Sequence, residues 1–245
     1  MLSVCRKELR QFFSSLTGYI AIIVFLLLNG LLLFIVPSNN TLDYNILDSG
    51  YASLEPFFRL SPWVLLLLIP AITMRSFSEE FRSGTFEILR TRPLTNGEIL
   101  GGKYLGAFII VVISILPTIL YVFAVKALAA KAGVDMGVVI GSYTGLLLLA
   151  AVFTAIGICC SSFTNNPVAA YLTGVLACLV MYFLFTGISR MGVFQGGADY
   201  YLAMFGLDFH YASIGRGVID TRDVLYFFSV ILLFALITYK NLAKK

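Results

Sequence analysis

The chain has 245 residues, of which 59% are hydrophobic and only 12% charged, and its formal net charge is +4. A soluble domain is nearer half apolar and a quarter charged, so the composition excludes a soluble enzyme or binding module and predicts an all-α integral membrane protein. The positive excess says little, because Lys and Arg gather at cytoplasmic membrane boundaries. No basic run alternates with aromatics as a nucleic-acid groove requires, so no nucleic-acid partner is expected.

Residues 1–16 read as an amphipathic helix. Leu2, Cys5, Leu9, Phe12, Phe13 and Leu16 share one face, and Lys7, Arg10 and Gln11 lie opposite. Such a helix can lie flat among lipid headgroups; the alternative is a basic flank that only sets orientation. A first span follows at 17–36, near the 20 residues that cross about 30 Å of hydrocarbon. Residues 37–59 hold Asp43, Asp48 and Glu55 against Arg59 and form an acidic outer loop. The second span, 60–74, contains Pro70, which removes a backbone bond and predicts a kink. Its apolar part covers only about 22 Å, so the helix is expected to continue past the membrane into residues 75–103.

Residues 75–103 interrupt the apolar pattern. They carry Arg75, Arg82, Arg90, Arg92 and Lys103 together with Glu79, Glu80, Glu87 and Glu98. Helical spacing puts Phe77, Phe81, Gly84 and Ile88 on one face. Such a segment either passes force or signal to a soluble partner or is a solvated loop that serves topology.

The third span, 104–125, has Pro117 in its outer half. In the fourth, 136–160, Gly137, Gly141 and Gly145 recur every fourth residue and let helix backbones approach closely. That stripe suits a contact between subunits or packing within one chain. A polar hairpin at 161–166 leads to the fifth span, 168–188. Residues 189–222 are Gly-rich and aromatic and predict interfacial or re-entrant helices on the outer face. The sixth span is 224–239. Placing both termini, 75–103 and 161–166 on one side gives eleven cations there and six opposite. The richer side is therefore expected to be cytoplasmic, in a multi-pass inner-membrane protein.

Catalytic patterns are sparse. Cys5, Cys159, Cys160 and Cys178 form no Cys-x-x-Cys pair. Gly97-Glu-Ile-Leu-Gly-Gly102-Lys103-Tyr104 nearly spells a phosphate-binding loop, but Tyr104 stands where a small hydroxyl should ligand magnesium. No nucleotide, cofactor or metal is expected on this chain, and no enzymatic activity. His210, the single histidine, reads as an interfacial polar ring rather than a catalytic base. The centres of the six spans carry no Asp, Glu, Lys or Arg, which argues against ion-coupled transport.

Glu79-Glu80-x-x-x-Gly84-Thr85-x-Glu87-x-Leu89-x-x-x-Pro93, followed by Glu98 and Gly102-Lys103, resembles the signature of ABC-2 type transporter permeases. Several blocks look closer to the gliding-motility-associated permease subunit of Bacteroidetes-type bacteria. These are Phe12-Phe-Ser-Ser-Leu-x-Gly-Tyr19, Pro70-Ala-Ile-Thr-Met-Arg-Ser-Phe77, Ser161-Ser-x-Thr-Asn-Asn166 and Arg216-Gly-Val-Ile-Asp-Thr-Arg-Asp-Val-x-Tyr226. The resemblance implies a permease subunit that pairs with a second one, identical or not, and docks on a separate ABC ATPase holding ATP-Mg. It implies a coupling role for Glu79, Glu80, Arg82, Gly84, Thr85, Glu87 and Pro93. Gly84 would permit close backbone approach, the charged groups would pair with the ATPase, and Pro93 would end the segment. The Arg-rich run departs from the pattern and suits lipid phosphate instead. A second reading is a scaffold that transmits force without moving cargo.

Overall fold

Helix breaks, more than helix lengths, shape this molecule. The computed structural model describes residues 1–37, 44–47, 53–90, 95–129, 134–191, 198–218 and 220–244, and among them there is no strand. Helices α1 (Leu2–Phe13) and α2 (Leu16–Phe34) meet at 72°. The turn is tight because Gly18 lies against Phe12, where a Cβ would sit 2.6 Å from the Phe12 carbonyl oxygen. Helix α3 (Glu55–Thr73) is followed after one residue, Met74, by α4 (Arg75–Ser83). Helix α5 (Thr85–Arg90) turns back from it.

Helix α6 (Asn96–Ile115) begins with a capping box: Thr95 Oγ1 accepts from the Glu98 N–H, and the Thr95 N–H donates to the Glu98 carboxylate. This satisfies donors that a helix start leaves orphaned. Pro117 lacks an N–H, and around it the third span becomes a 3-10 turn, Leu116–Thr118, before α7 (Ile119–Leu128). Helix α8 (Met136–Phe163) follows, then α9 (Pro167–Leu179). A π-helical turn, Val180–Leu184, separates α9 from α10 (Phe185–Ser189), a break that no Pro or Gly announces in the sequence. Short helices α11 (Ala198–Ala203) and α12 (Leu207–Ile214) precede α13 (Thr221–Lys244).

Five of these segments are long and apolar enough to cross a bilayer: Glu55–Ser83, Asn96–Leu128, Met136–Phe163, Pro167–Ser189 and Thr221–Lys244. The bent pair α1 and α2 makes a sixth when taken as one span. The chain is thus an all-helical, multi-pass membrane protein, as its composition requires.

Helix α8 is the central post, packed by α3, α4, α6, α9, α12 and α13. Of its most apolar window 78% lies inside the protein, against 22% for Pro167–Ser189 and Thr221–Lys244, so those two spans present most of their surface outward. Its small residues explain the difference. Gly157 accommodates Thr73 of α3, while Gly141 and Gly145 accommodate α12. Polar ties cross the apolar interior: Ser61 Oγ donates to Asn29 Oδ1, and Tyr211 donates to the Phe58 carbonyl at 2.7 Å. Each satisfies a group that hydrocarbon cannot.

Candidate functional site

The charged segment folds as a helical hairpin at one end of the bundle. Gly84 ends α4 with φ +70°, a left-handed conformation that favours glycine. A Cβ built there would meet nothing of this chain within 4 Å, so within the chain it is the left-handed backbone turn that favours glycine. The same turn corrects the expected apolar stripe. Phe77 and Phe81 are joined by Phe86, while Gly84 is exposed at the turn where helical spacing stops; the Ile88 side chain lies outside the described residues. The three rings contact one another, with Phe81 and Phe86 edge-to-face at 4.9 Å. They form a small second core with Ile99 and Ala107 of α6, Ile158 of α8 and Leu242 of α13.

The joint between α3 and α4 is held from a distance. Ser161 of α8 accepts from the Phe77 and Ser78 N–H groups at 3.0 and 3.2 Å and donates to the Met74 carbonyl at 2.9 Å. It therefore caps α4 from another helix and satisfies first-turn donors that the one-residue break would orphan. At the foot of α8, Asn241 donates to the Ser162 carbonyl, which ties in the end of α13.

Beneath the hairpin lies a buried ionic cluster. Lys103 is 1% exposed, and its ammonium meets Glu8 Oε1 at 2.8 Å and Glu80 Oε1 at 3.0 Å and donates to the Ser76 carbonyl. It also stands 5.0 Å over the Phe77 ring. Lys7 reaches the same Glu80 oxygen at 2.7 Å. The cluster joins α1, α4 and α6, and α1 can come this close because Gly102 and Gly106 of α6 leave room for Val4 and Glu8. Beside it, a cleft of ≈ 650 Å3 runs between α1, α2, α4 and α6.

The residues singled out by sequence therefore occupy different settings. Glu79, Arg82, Thr85 and Glu87 are exposed on the hairpin, and Thr85 Oγ1 lies 2.9 Å from Ser83 Oγ. Glu80 is turned inward onto two lysines, and its Oε2 is buried without a hydrogen bond. Pro93 lies outside the described residues, as do the side chains of Ile88 and Arg90. The exposed Arg82 lines a shallow cavity with Phe163, Thr164, Asn165 and Asn166 from the turn between α8 and α9, so hairpin and turn share one surface. Gly141 and Gly145 face Ile214 and Tyr211 of the same chain, and Gly137 is exposed at the start of α8.

Sequence reasoning gave Lys103 and Ser161 no role of their own. Their partners lie 95 and 84 residues away, beyond any local spacing rule. The near phosphate-binding loop, Gly97 to Tyr104, falls within α6 and is helical rather than looped. His210 sits at the opposite end of the bundle, buried. Its Nδ1 lies 2.7 Å from Asp223 Oδ1 and its Nε2 2.9 Å from the Met204 carbonyl, and it stacks on Tyr226. Both ring nitrogens are thus engaged, Nδ1 tying α12 to α13 and Nε2 tying it to the turn after α11. Among the described residues no group of three His, Cys, Asp or Glu could hold a metal ion.

Residues 2–218 match the family model described as ABC-2 family transporter protein. None of the curated proteins matches the chain.

Proposed function

This chain belongs to the ABC-2 family of transporter proteins, and on that footing we propose that it is the transmembrane permease subunit of an ABC-2 type transporter. ATP-Mg is bound and hydrolysed on a separate ABC ATPase subunit, and a second permease subunit, identical or different, completes the membrane part. Both termini and the hairpin lie in the cytoplasm, at the bacterial inner membrane. The process served is export or a gliding-motility or secretion-related task; the sequence blocks around Tyr19, Phe77, Asn166 and Tyr226 alone support the latter.

The observation that carries the reading is the two-sided character of the hairpin. One side presents Glu79, Arg82, Thr85 and Glu87 to solvent. The other is locked by Phe77, Phe86, Glu80 and Lys103 into α1, α6, α8 and α13. A protein gripping the exposed side would move four helices of the bundle rather than bend a loop. Glu80 belongs in this scheme to the inner lock, and the exposed charges to the docking face.

Binding tests it. The partner ATPase should co-purify with the wild-type chain from detergent-solubilised membranes. Reversing both charges, Arg82→Glu with Glu87→Arg, should weaken that association about tenfold, equivalent to about 1.4 kcal/mol. Unchanged association with this doubly reversed hairpin would remove it from the docking face.

A further inference from the structure

His210 and Asp223 meet at the end of the bundle opposite the hairpin, and each is only 5% exposed. An imidazole that carries one proton donates from one ring nitrogen and accepts at the other. Here both nitrogens face acceptors. Nδ1 lies 2.7 Å from Asp223 Oδ1, and Nε2 lies 2.9 Å from the Met204 carbonyl oxygen, which has no hydrogen to give. A neutral ring beside an ionised Asp223 would turn one of these contacts into two facing lone pairs. To make both hydrogen bonds the pair must hold a second proton.

The surroundings place that proton on the ring. Asp223 Oδ2 is buried without a hydrogen bond, so the carboxylate leans on His210 alone for its counter-charge. A buried carboxylate beside a neutral group would be costly. Tyr226 stacks on the imidazole, with centroids 4.0 Å apart and planes 22° from parallel, and its hydroxyl donates to the Phe205 carbonyl. An aromatic face attracts a cation, so this stacking favours the charged ring. The other ionisable groups around α12 are set differently. Tyr182 of the π turn and the Arg190 charge act on Asp208, two residues before His210. Helix α8 meets α12 through Gly141, Ser142 and Gly145, which do not titrate, and Tyr211 donates to the Phe58 carbonyl of α3. Asp220 and Arg222 flank Asp223 and are exposed, and α11 carries Asp199 and Tyr200, the latter edge-on to Phe209.

We propose that His210 and Asp223 form a proton-binding site, an imidazolium–carboxylate pair whose second proton latches α12. With the proton in place, Nδ1–H holds α13 and Nε2–H holds the turn after α11. The stabilisation is present while the pair is protonated and is lost as pH rises, because a ring with one bare nitrogen keeps only one of the two ties. The latch bears on a larger feature. Asp208, Tyr211 and Ala212 of α12 line a cleft of ≈ 870 Å3 at this end of the bundle. The proton thus fixes one wall of that cleft. This assignment goes beyond the coupling reading and does not depend on an ATPase.

His210 is the chain's single histidine, so nitrogen-15 labelling of histidine reports on this ring alone once the chain is purified through a tag free of histidine. The full chain is placed in phosphatidylcholine bilayers and its ring nitrogens are read by solid-state NMR. In neutral buffer the proposal predicts that both nitrogens are protonated. Asp223→Asn should show one protonated and one bare nitrogen in the same buffer. The new amide can donate to Nδ1 while Nε2–H still reaches Met204, so this variant keeps both ties without the second proton. Thermal unfolding gives a second readout. From neutral to mildly alkaline buffer the wild-type chain should lose about 2–4 °C more than Asp223→Asn, the shift expected for one hydrogen bond. A bare ring nitrogen in the wild-type chain in neutral buffer overturns the proposal without any variant being made. Parallel loss of stability with pH in the two chains overturns the latch.

Discussion

Lys103 shows how one side chain can set the behaviour of three helices. A buried lysine is tolerated only when paired, and here two carboxylates and a backbone carbonyl surround it. Replacing it by methionine keeps the volume but strands Glu8 and leaves Glu80 with Lys7 alone, and breaking such a buried pair costs about 3–5 kcal/mol. We expect Lys103→Met to lower the thermal unfolding temperature in detergent markedly. Adding Glu8→Gln and Glu80→Gln should recover most of the loss, because an apolar or neutral cluster needs no counter-charge. If the triple variant is as unstable as the single one, the cluster is not what joins α1 to α4 and α6. Lys103 was legible in the sequence as a charge in a charged stretch and as part of two motif-like runs, but not as a buried anchor. Its meaning depends on Glu8, brought near by the glycine-lined approach of α1 to α6, and that contact is set by the tertiary fold.

At the scale of elements, the small-residue stripe of α8 was legible and its partner was not. Spacing of four residues predicts a close helix contact, but only the fold shows that α12 fills it. A Cβ on Gly141 would sit 2.9 Å from Gly217 Cα and 3.0 Å from the Ile214 carbonyl oxygen, both backbone atoms that cannot rotate away. Gly141→Ala should therefore displace α12 and destabilise the protein by about 1–3 kcal/mol, measured by thermal or denaturant unfolding in micelles. Gly137→Ala at the exposed start of α8 should change little. The hairpin was legible in outline for a similar reason. Its charges and the glycine mark a break in apolar helix, whereas the entry of Phe86 into the ring cluster follows from a left-handed residue that changes the face. The π turn at Val180–Leu184 had no sequence signal at all, since its residues are as apolar as the flanking helices.

For the whole molecule, composition and hydropathy were enough to specify a membrane-spanning helical bundle, because hydrocarbon leaves the backbone few other solutions. Orientation was read from charge asymmetry, and it can be measured independently of any partner. Cysteine placed at Thr85 should react with a membrane-impermeant maleimide in inverted vesicles and stay protected in spheroplasts. Cysteine at Arg216 should do the reverse. The native cysteines, buried or half-buried, give a low background. Labelling of both positions from the same side would refute the proposed topology.

The hairpin's exposed charges and its locked inner face together make one mechanical statement: a grip on Arg82 and Glu87 moves the bundle. The most direct test is ATP turnover by the partner ATPase reconstituted in lipid with this chain. The account predicts that the wild-type chain changes the turnover rate and that Lys103→Met with Glu8→Gln and Glu80→Gln, a folded variant with the ionic lock removed, still binds the ATPase but loses most of that change. Full retention of the effect by the unlocked variant would contradict it.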